Sequence, residues 1–366
     1  MDNRLSKYTG DNFFRYWNLL KKSNFGISIR KKAIINYIKI KLGYISEEIG
    51  YKSTYPAIVQ MYSLRRCNLR CSFCDLGHSG PPSDWEKYEL TPSKFKKILS
   101  LDILKRALVI CFTGGEPLLN KDMPELMKIA KENKYIVGMI TNGLLLGERL
   151  EEIKNIGISD IQLSVYKNTK EILQKILPNV SRYFPLNASY VLPKSQLVNG
   201  KNDNFKELVD TIKMCMANGC ASFKFNICHP NGSASDLTET IFENDQLYND
   251  FVEICKNGLP DVNFVGYNTK KKKMPSRKFT VFLPYPILHN SSYRNCSQPW
   301  TLFPISTNGD CGLCCGSFLG NIFDDPNVIN NEKAKAIRRC IIDHSLPLEK
   351  ECLNCIFRNG SYSSNL

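Results

Sequence analysis

Short apolar runs alternate with amphipathic segments through the middle of the chain. The apolar runs predict six strands, at 57–63, 107–113, 136–141, 160–165, 187–192 and 222–227. Apolar residues at helical spacing predict helices between and after them, at 92–104, 123–133, 147–155, 169–177, 205–217 and 244–256. This alternation predicts parallel strands with crossover helices, and six such units predict an α/β fold with a partial (β/α)6 barrel over 57–270.

The two ends of the chain have other patterns. Residues 1–56 are basic and aromatic and predict a helical N-terminal extension, with helices near 10–22 and 28–42. Two interpretations stay open for this extension: contact with a membrane surface or a partner, and packing against the main domain. Residues 271–295 open with three lysines and predict a linker, and residues 296–366 predict a cysteine-rich module with little periodicity.

Charge narrows the class of partner. The formal net charge is +14, and residues 1–56 hold eleven Lys or Arg against four Asp or Glu, a net of +7. Such a charge favours an acidic peptide or protein, or a phosphorylated or lipid-linked sugar, with peripheral membrane contact through the N-terminal extension as a further expectation. The sequence has no run of about 18 apolar residues and no signal peptide, so we expect a cytoplasmic protein.

Fifteen cysteines are clustered at short spacings, which favours metal sites over disulfides in a cytoplasmic chain. Cys67, Cys71 and Cys74 form a C-x3-C-x2-C loop directly after the first predicted strand. Three thiolates on one loop can bind three irons of a cubane and leave the fourth iron open for a substrate. The alternative is structural zinc, with His78 as a fourth ligand.

This loop resembles the signature of the radical S-adenosylmethionine superfamily, in which an aromatic residue precedes the last cysteine. Further segments match that family in order along the chain. The resemblance assigns cofactor contacts to Phe73 beside the adenine, to Gly114, Gly115, Glu116 and Pro117 at the methionine amino group, to Asn142 in the cofactor cleft, and to Ser164 at the ribose or carboxylate. Tyr166 stands where many relatives have an acid. The resemblance implies a catalytic [4Fe–4S] cluster, S-adenosylmethionine and a reductant such as flavodoxin or ferredoxin.

The C-terminal cysteines resemble the auxiliary-cluster modules called SPASM and Twitch. The matching elements are an early Cys296, a hairpin from Gly309 to Cys314, and a late Cys352-x2-Cys355. The resemblance implies one auxiliary [4Fe–4S] cluster held by Cys296, Cys314, Cys352 and Cys355. A four-cysteine zinc site is the alternative, and Cys311, Cys315 or Cys340 could replace one of the four ligands.

The resemblance implies reductive cleavage of S-adenosylmethionine to a 5′-deoxyadenosyl radical, which abstracts a hydrogen atom from the substrate. We expect oxidation or cross-linking of a peptide, a protein side chain or a sugar-type natural product, with help from the auxiliary cluster. An alternative is an epimerase in which Cys228 gives a hydrogen atom to the substrate radical, although free cysteines are more often simply buried core residues. A hypothesis of another class is a non-catalytic metal protein that binds nucleic acid through its basic N-terminus; the enzyme interpretation expects no nucleic acid.

Overall fold

The computed structural model describes residues 31, 58–76, 82–105, 107–198, 203–228, 237–242, 245–266, 279–286, 296, 298–314, 317–343, 345–353 and 355. Apart from Lys31, the predicted N-terminal extension lies outside the described residues, as do His78, His229 and Cys315. Within the described residues, no helix is both long enough and apolar enough to cross a bilayer.

Eleven strands and nine α-helices occur in the described residues. The strands are β1 (Ile58–Tyr62), β2 (Val109–Thr113), β3 (Ile136–Thr141), β4 (Asp160–Ser164), β5 (Leu186–Leu192), β6 (Cys220–Ile227), β7 (Asn263–Gly266), β8 (Thr280–Leu283), β9 (Leu302–Ile305), β10 (Asp310–Cys311) and β11 (Gly320–Asn321). The helices are α1 (Pro92–Leu99), α2 (Met123–Glu132), α3 (Leu150–Ile153), α4 (Lys170–Val180), α5 (Lys194–Val198), α6 (Asp203–Ala217), α7 (Gln246–Gly258), α8 (Gln298–Thr301) and α9 (Glu332–Ile342). Short 3-10 turns lie at Trp85–Tyr88, Asp102–Leu104, Pro117–Leu119, Leu237–Glu239, Val328–Asn330 and Lys350–Cys352.

The strands form one sheet in the order β11-β10-β9-β1-β2-β3-β4-β5-β6-β8-β7. Strands β1 to β6 are parallel neighbours in chain order, as predicted. The two edges of the sheet do not pair with each other, so the barrel is partial, which confirms the predicted α/β class. Since the strands are parallel, the loops that follow them meet at one edge of the sheet.

The sheet extends beyond the six predicted units at both edges. Strand β8 lies inside the segment 271–295 that was predicted to be a linker, and it pairs parallel with β6. Three apolar residues after a threonine, between a lysine and a proline, are too short a run to predict a strand without its partner. On the other side, β9 of the cysteine-rich segment pairs parallel with β1, so the C-terminal segment continues the barrel sheet.

Helix α9 also departs from the prediction, because the C-terminal segment showed little periodicity. Its first turn is capped by Asn331, whose side chain accepts a hydrogen bond from the backbone N–H of Ala334. Ala334, Ile337 and Ile341 are buried on one side of the helix. This short apolar stripe sits among charged residues, and only the packing against α8 and the neighbouring turn reveals it.

The main core lies between the sheet and its helices. Alternate strand residues point toward the helices, as the two-residue period of a strand requires, and Phe112 and Phe225 are examples with no exposed surface. The Phe112 ring centroid lies 5.5 Å from that of Phe95 on α1, and the Phe225 centroid lies 5.1 Å from that of Phe251 on α7. The opposite face of the sheet lines the interior of the partial barrel.

Candidate active site

The first cysteine loop follows the C-terminal end of β1, and the structure brings its three thiols together. Burial, together with the nearby thiols of Cys74 and Cys67, raises the pKa of Cys71 to about 11. Burial likewise raises the pKa of Cys67, with contributions from Glu116 and Cys74 in the same direction. Cys74 is exposed. The thiols of Cys67 and Cys71 are therefore protonated in the metal-free protein, and binding iron would release these protons.

The donor set suits an iron–sulfur cubane better than a single ion. Among the described residues, no three Cys, His, Asp or Glu side chains stand close enough to ligate one metal ion. Ligands of a cubane each bind a different iron, so their sulfur atoms lie farther apart than the ligands of one zinc ion. The loop also offers three thiols, which leaves one iron of a cubane without a protein ligand.

The turn after β2 holds the cysteine loop by its backbone. The N–H of Gly115 donates to the carbonyl of Leu64 at 2.9 Å, and the N–H of Glu116 donates to the carbonyl of Arg66 at 2.9 Å. A Cβ atom on Gly115 would lie 1.9 Å from the Arg66 carbonyl oxygen, so only glycine permits this approach. Gly114 precedes it at φ +133°, also close to the backbone of Leu64. The Gly-Gly pair thus sets the position of the chain that enters the cysteine loop.

Glu116 connects this turn to the end of β3. Its carboxylate is 1% exposed and accepts hydrogen bonds from the Leu118 N–H at 3.0 Å, the Thr141 hydroxyl at 2.7 Å and the Asn142 N–H at 2.8 Å. Burial raises the pKa of Glu116, and these three bonds oppose that rise. Sequence reasoning did not find this link, because the three donors come from the turn itself and from a strand 25 residues later. Contact between Glu116 and the cofactor amino group stays a prediction.

Asn142 reaches from the end of β3 to the cysteine loop. Its Nδ2 lies 2.7 Å from Oδ1 of Asn68 and 3.9 Å from Sγ of Cys67, and its own Oδ1 accepts the Leu144 N–H at 3.1 Å. The predicted site residues of the first, second and third strand ends are therefore in one hydrogen-bonded group.

Aromatic rings continue from the cysteine loop along the strand ends. The Phe73 ring centroid lies 5.7 Å from that of Tyr166, which lies 5.5 Å from that of Tyr190. Burial raises the pKa of Tyr166, and a hydrogen bond with Ser164, the last residue of β4, opposes that rise. Tyr166 thus joins two predicted cofactor contacts, Phe73 and Ser164. In the sequence, Tyr166 could be noticed only because many relatives have an acid at this place.

Cys228 directly follows β6 and is fully buried. Its N–H donates to the carbonyl of Leu192 at 3.2 Å, and its carbonyl accepts from the Thr240 hydroxyl at 3.2 Å. These bonds fix the backbone at the C-terminal edge of the sheet. The predicted hydrogen-donor role of Cys228 stays a prediction.

The second cysteine group also comes together. The pKa of Cys296 is raised well above its ordinary value by burial and then by the neighbouring thiols of Cys355, Cys314 and Cys340. The pKa of Cys352 is raised by a hydrogen bond with Cys340, by burial, and by Cys296 and Cys355. All four predicted ligands thus lie near one another, with Cys340 as a fifth thiol.

Cys311 does not belong to this second group. Its Sγ donates to the carbonyl of Gly320 at 3.3 Å, and the residue packs in the main core. Carboxylates of Asp310 and Asp325, rather than other thiols, add to the burial that raises its pKa to about 12.

The two cysteine groups lie at opposite ends of β1. Cys67 comes after its C-terminal end, whereas Cys296 precedes β9, whose first residue, Leu302, pairs with Ile58 at the N-terminal end of β1. A strand of five residues spans roughly 16 Å. The two groups are therefore separated along the sheet by about the length of β1.

The interior face of the sheet changes character across the strands. Near β1 to β3 it is apolar, with Ile58, Val109, Cys111 and Ile136 in one cluster. Across the next strands it is polar, and five residues paired in register share this property: Gln162, Asn187, Ser222, Thr280 and Asn263. We call this row the polar wall; its three amide side chains are half-buried, and its two hydroxyl side chains are buried.

Asp160 is the first residue of β4 and is hydrogen-bonded to the polar wall. Its Oδ1 accepts from Nδ2 of Asn187 at 2.5 Å, and Oδ1 of Asn187 accepts from the Ser222 hydroxyl at 2.6 Å. Burial raises the pKa of Asp160 to about 6, and the Asn187 bond opposes that rise. No sequence signal marked this carboxyl, because Asp160 begins a strand whose polar partners come from two other strands.

Comparison with known proteins supports the site. Residues 61–242 match the Radical SAM superfamily. A GTP 3′,8-cyclase of Aquifex aeolicus (strain VF5) is 33% identical over 133 residues, which are 34% of this chain and 40% of that protein. A PqqA peptide cyclase of Bradyrhizobium diazoefficiens is 35% identical over 114 residues, which are 30% of this chain and 28% of that protein. The matches thus span less than half of these relatives.

Solved structures match over most of the chain. The crystal structure of Streptococcus suis SuiB bound to precursor peptide SuiA has a TM-score of 0.57 at 15% identity, covering 90% of this chain and 74% of that one. At this identity the likeness concerns the fold. The sequence match over residues 61–242, on a fold of this kind, means that the chain belongs to the radical SAM superfamily, whose enzymes use a [4Fe–4S] cluster and S-adenosylmethionine.

Proposed function

We propose that this chain is a radical SAM enzyme that oxidises or cross-links a peptide or protein side chain, using a catalytic [4Fe–4S] cluster on Cys67, Cys71 and Cys74. The observation that carries the proposal is the convergence of these three thiols on a loop held by the Gly114–Pro117 turn and by Asn142. When bound, the cluster and S-adenosylmethionine supply a radical that abstracts a hydrogen atom from the substrate.

Different residues around the cysteine loop would bind different parts of the cofactor. Phe73 and Tyr166 offer apolar ring surface to the adenine, and Ser164 offers a hydroxyl next to them. Gly114 and Gly115 let the cofactor approach the backbone closely.

A peptide is the substrate class that the relatives favour. PqqA peptide cyclase is named for a peptide, and SuiB was solved with a precursor peptide. The net charge of +14 suits an acidic peptide or protein. The half-buried amides of the polar wall would pair with peptide groups inside the barrel. A phosphorylated or lipid-linked sugar is the second candidate, because hydroxyls would suit the same wall.

We further propose an auxiliary [4Fe–4S] cluster in the segment 296–366, ligated by Cys296, Cys314, Cys352 and Cys355. Four convergent thiols support it. Full ligation by protein suits electron transfer, and such a cluster would accept one electron from the substrate radical to give the oxidised product. The domain scheme proposed with it comprises an extension at 1–56, the barrel at 57–270, a connecting segment at 271–295 that adds β8 to the sheet, and this module. Flavodoxin or ferredoxin would supply electrons, and peripheral membrane contact through residues 1–56 remains part of the proposal.

Anaerobic turnover tests the main proposal. We expect the reconstituted protein with dithionite and S-adenosylmethionine to form 5′-deoxyadenosine and methionine. Replacing Cys71 by alanine should abolish the product, whereas replacing Cys111, a buried cysteine of the barrel interior, should leave it. Iron-loaded wild-type protein that forms no 5′-deoxyadenosine would refute the proposed enzyme activity. The hypothesis of a non-catalytic metal protein that binds nucleic acid would then remain.

Iron content tests the auxiliary cluster. Two cubanes give about eight irons per chain, so Cys71→Ala and Cys355→Ala should each retain about four. The matched control is Cys340→Ala, which removes the neighbouring fifth thiol and should retain about eight. A loss of four irons in this control would make Cys340 a ligand in place of one of the proposed four. Bound zinc in place of iron at the second group would support the zinc alternative.

The epimerase is the second candidate mechanism. It needs a thiol that can give a hydrogen atom to the substrate radical, and Cys228 ends β6 at the edge where the cysteine loop lies. In the Cys228→Ala variant, an epimerase should lose product while still forming 5′-deoxyadenosine. Unchanged product would leave oxidation or cross-linking.

A further inference from the structure

We propose that Asn142 is a positioning residue that sets the reduction potential of the catalytic cluster through a hydrogen bond from its Nδ2 to Sγ of Cys67. This inference rests on the proposed function, because it needs a cluster on Cys67, Cys71 and Cys74. It differs from the sequence prediction, which placed Asn142 against the cofactor in the cleft.

The surroundings of Asn142 fix the direction of its amide. The side-chain Oδ1 accepts the Leu144 N–H at 3.1 Å, so this oxygen faces the following turn. The Nδ2 group must then face the other way, toward Asn68 and Cys67. The backbone N–H of Asn142 donates to the buried carboxylate of Glu116 at 2.8 Å, and the residue is 6% exposed. Packing therefore holds the donor in place before any cluster binds.

The three cysteines of the loop differ in their hydrogen bonds. Sγ of Cys67 has two N–H donors, the Leu69 backbone at 3.4 Å and the Asn142 amide at 3.9 Å. The second distance is long, but sulfur is a large acceptor. In the described part of the chain, no N–H donor points at the sulfur of Cys71 or of Cys74. Among the described residues, the N–H donors are thus directed at one of the three sulfur ligands.

Donors to a cluster sulfur favour the reduced state. Reduction adds one negative charge, which the sulfur ligands share, and an N–H dipole aimed at a sulfur stabilises that charge. A hydrogen bond to a charged group is worth about a tenfold change in an equilibrium. Loss of the Asn142 donor should therefore shift the reduction equilibrium about tenfold toward the oxidised cluster, or about 59 mV for one electron.

The test is a potentiometric titration of the reduced-cluster EPR signal in the holoprotein, without substrate. The signal that changes when S-adenosylmethionine is added identifies the catalytic cluster. Asn142→Leu keeps the shape of the side chain and removes the donor, and we expect its potential to fall by about 59 mV. The matched control is Asn68→Ala, which removes the Asn68–Asn142 bond and the 4.0 Å contact between Oδ1 of Asn68 and Sγ of Cys67 but leaves the Asn142 donor. Because an acceptor near the sulfur disfavours added negative charge, the potential of this control should not fall.

Three results would overturn the inference. The first is an Asn142→Leu potential equal to that of the wild type. The second is an equal fall in both variants, since the loop position rather than the sulfur bond would then set the potential. The third is a wild-type protein that binds no cluster at Cys67, Cys71 and Cys74, which would overturn the proposed function as well.

A measurement on unmutated side chains covers the case in which Asn142→Leu fails to fold. Protein labelled with 15N only at asparagine should show 15N coupling to the reduced catalytic cluster in pulsed EPR. The coupling should persist in Asn68→Ala, because the donor belongs to Asn142. Its absence from the labelled wild-type protein would refute the hydrogen bond.

Discussion

Replacing Gly115 by alanine is expected to disable the catalytic site, with about a hundredfold loss of 5′-deoxyadenosine formation. The new Cβ would meet the Arg66 carbonyl oxygen at 1.9 Å and its carbon at 2.4 Å. Both are backbone atoms, so the chain entering the cysteine loop must move by about 1 Å or more to restore normal contact. A displacement of that size between reacting groups can cost about a hundredfold in rate.

The same substitution should lower the stability of the fold. The hydrogen bonds from Gly115 and Glu116 to the carbonyls of Leu64 and Arg66 would break or stretch, and overpacking adds strain. We expect a decrease in the free energy of unfolding of about 3 kcal/mol, measured by urea denaturation.

Gly147→Ala is the matched control for Gly115→Ala. Its added Cβ would meet only the side chain of Ile176, at 3.1 Å, which can shift. Turnover and stability of this control should stay close to those of the wild type. Wild-type turnover in Gly115→Ala would show that the cysteine loop tolerates displacement, contrary to the expectation.

The second large effect concerns Asp160, whose ionisation should destabilise the protein as the pH rises. The pKa of this carboxyl is raised to about 6 by burial, against an ordinary value of 3.8. A raised pKa in the fold means that the protonated form is favoured there. Its stabilising contribution is complete below about pH 4 and is lost as the pH rises through about 6. The full loss is about 3 kcal/mol.

Asp160→Asn should remove this pH dependence. The amide oxygen of the variant can still accept the bond from Asn187, but no charge forms in the barrel interior. We expect the unfolding free energy of the wild type to fall by about 3 kcal/mol more than that of the variant between pH 4 and pH 8, measured by urea denaturation. The exposed Glu125→Gln is the control and should follow the wild type. Parallel curves for wild type and Asp160→Asn would contradict the raised pKa.

The six barrel strands were predictable from local sequence patterns. Strand β3 has the predicted bounds, and β1, β2, β4, β5 and β6 differ from the prediction only at their ends. Each of these strands is buried on its helix-facing side, so its apolar residues recur every second position and are visible without any partner. The edge strand β8 and helix α9 were not predictable in the same way. Strand β8 has only four residues, and α9 has only a short apolar stripe among charged residues. The burial of each depends on β6 or on α8, which lie far away in the chain.

For the site, the sequence by itself determined which residue types could bind a cluster and in which order they follow the strands. Cys67, Cys71 and Cys74 could be identified by spacing alone, because neighbouring positions on one loop stay close in any fold. Only the tertiary structure decided how these residues are held and which others join them. The Glu116 links to β3, the Asn142 bond to Cys67, the Asp160–Asn187–Ser222 chain and the approach of Cys340 to Cys352 all join residues distant in sequence. Such contacts depend on strand register and loop direction, and these are properties of the packed sheet rather than of any local pattern.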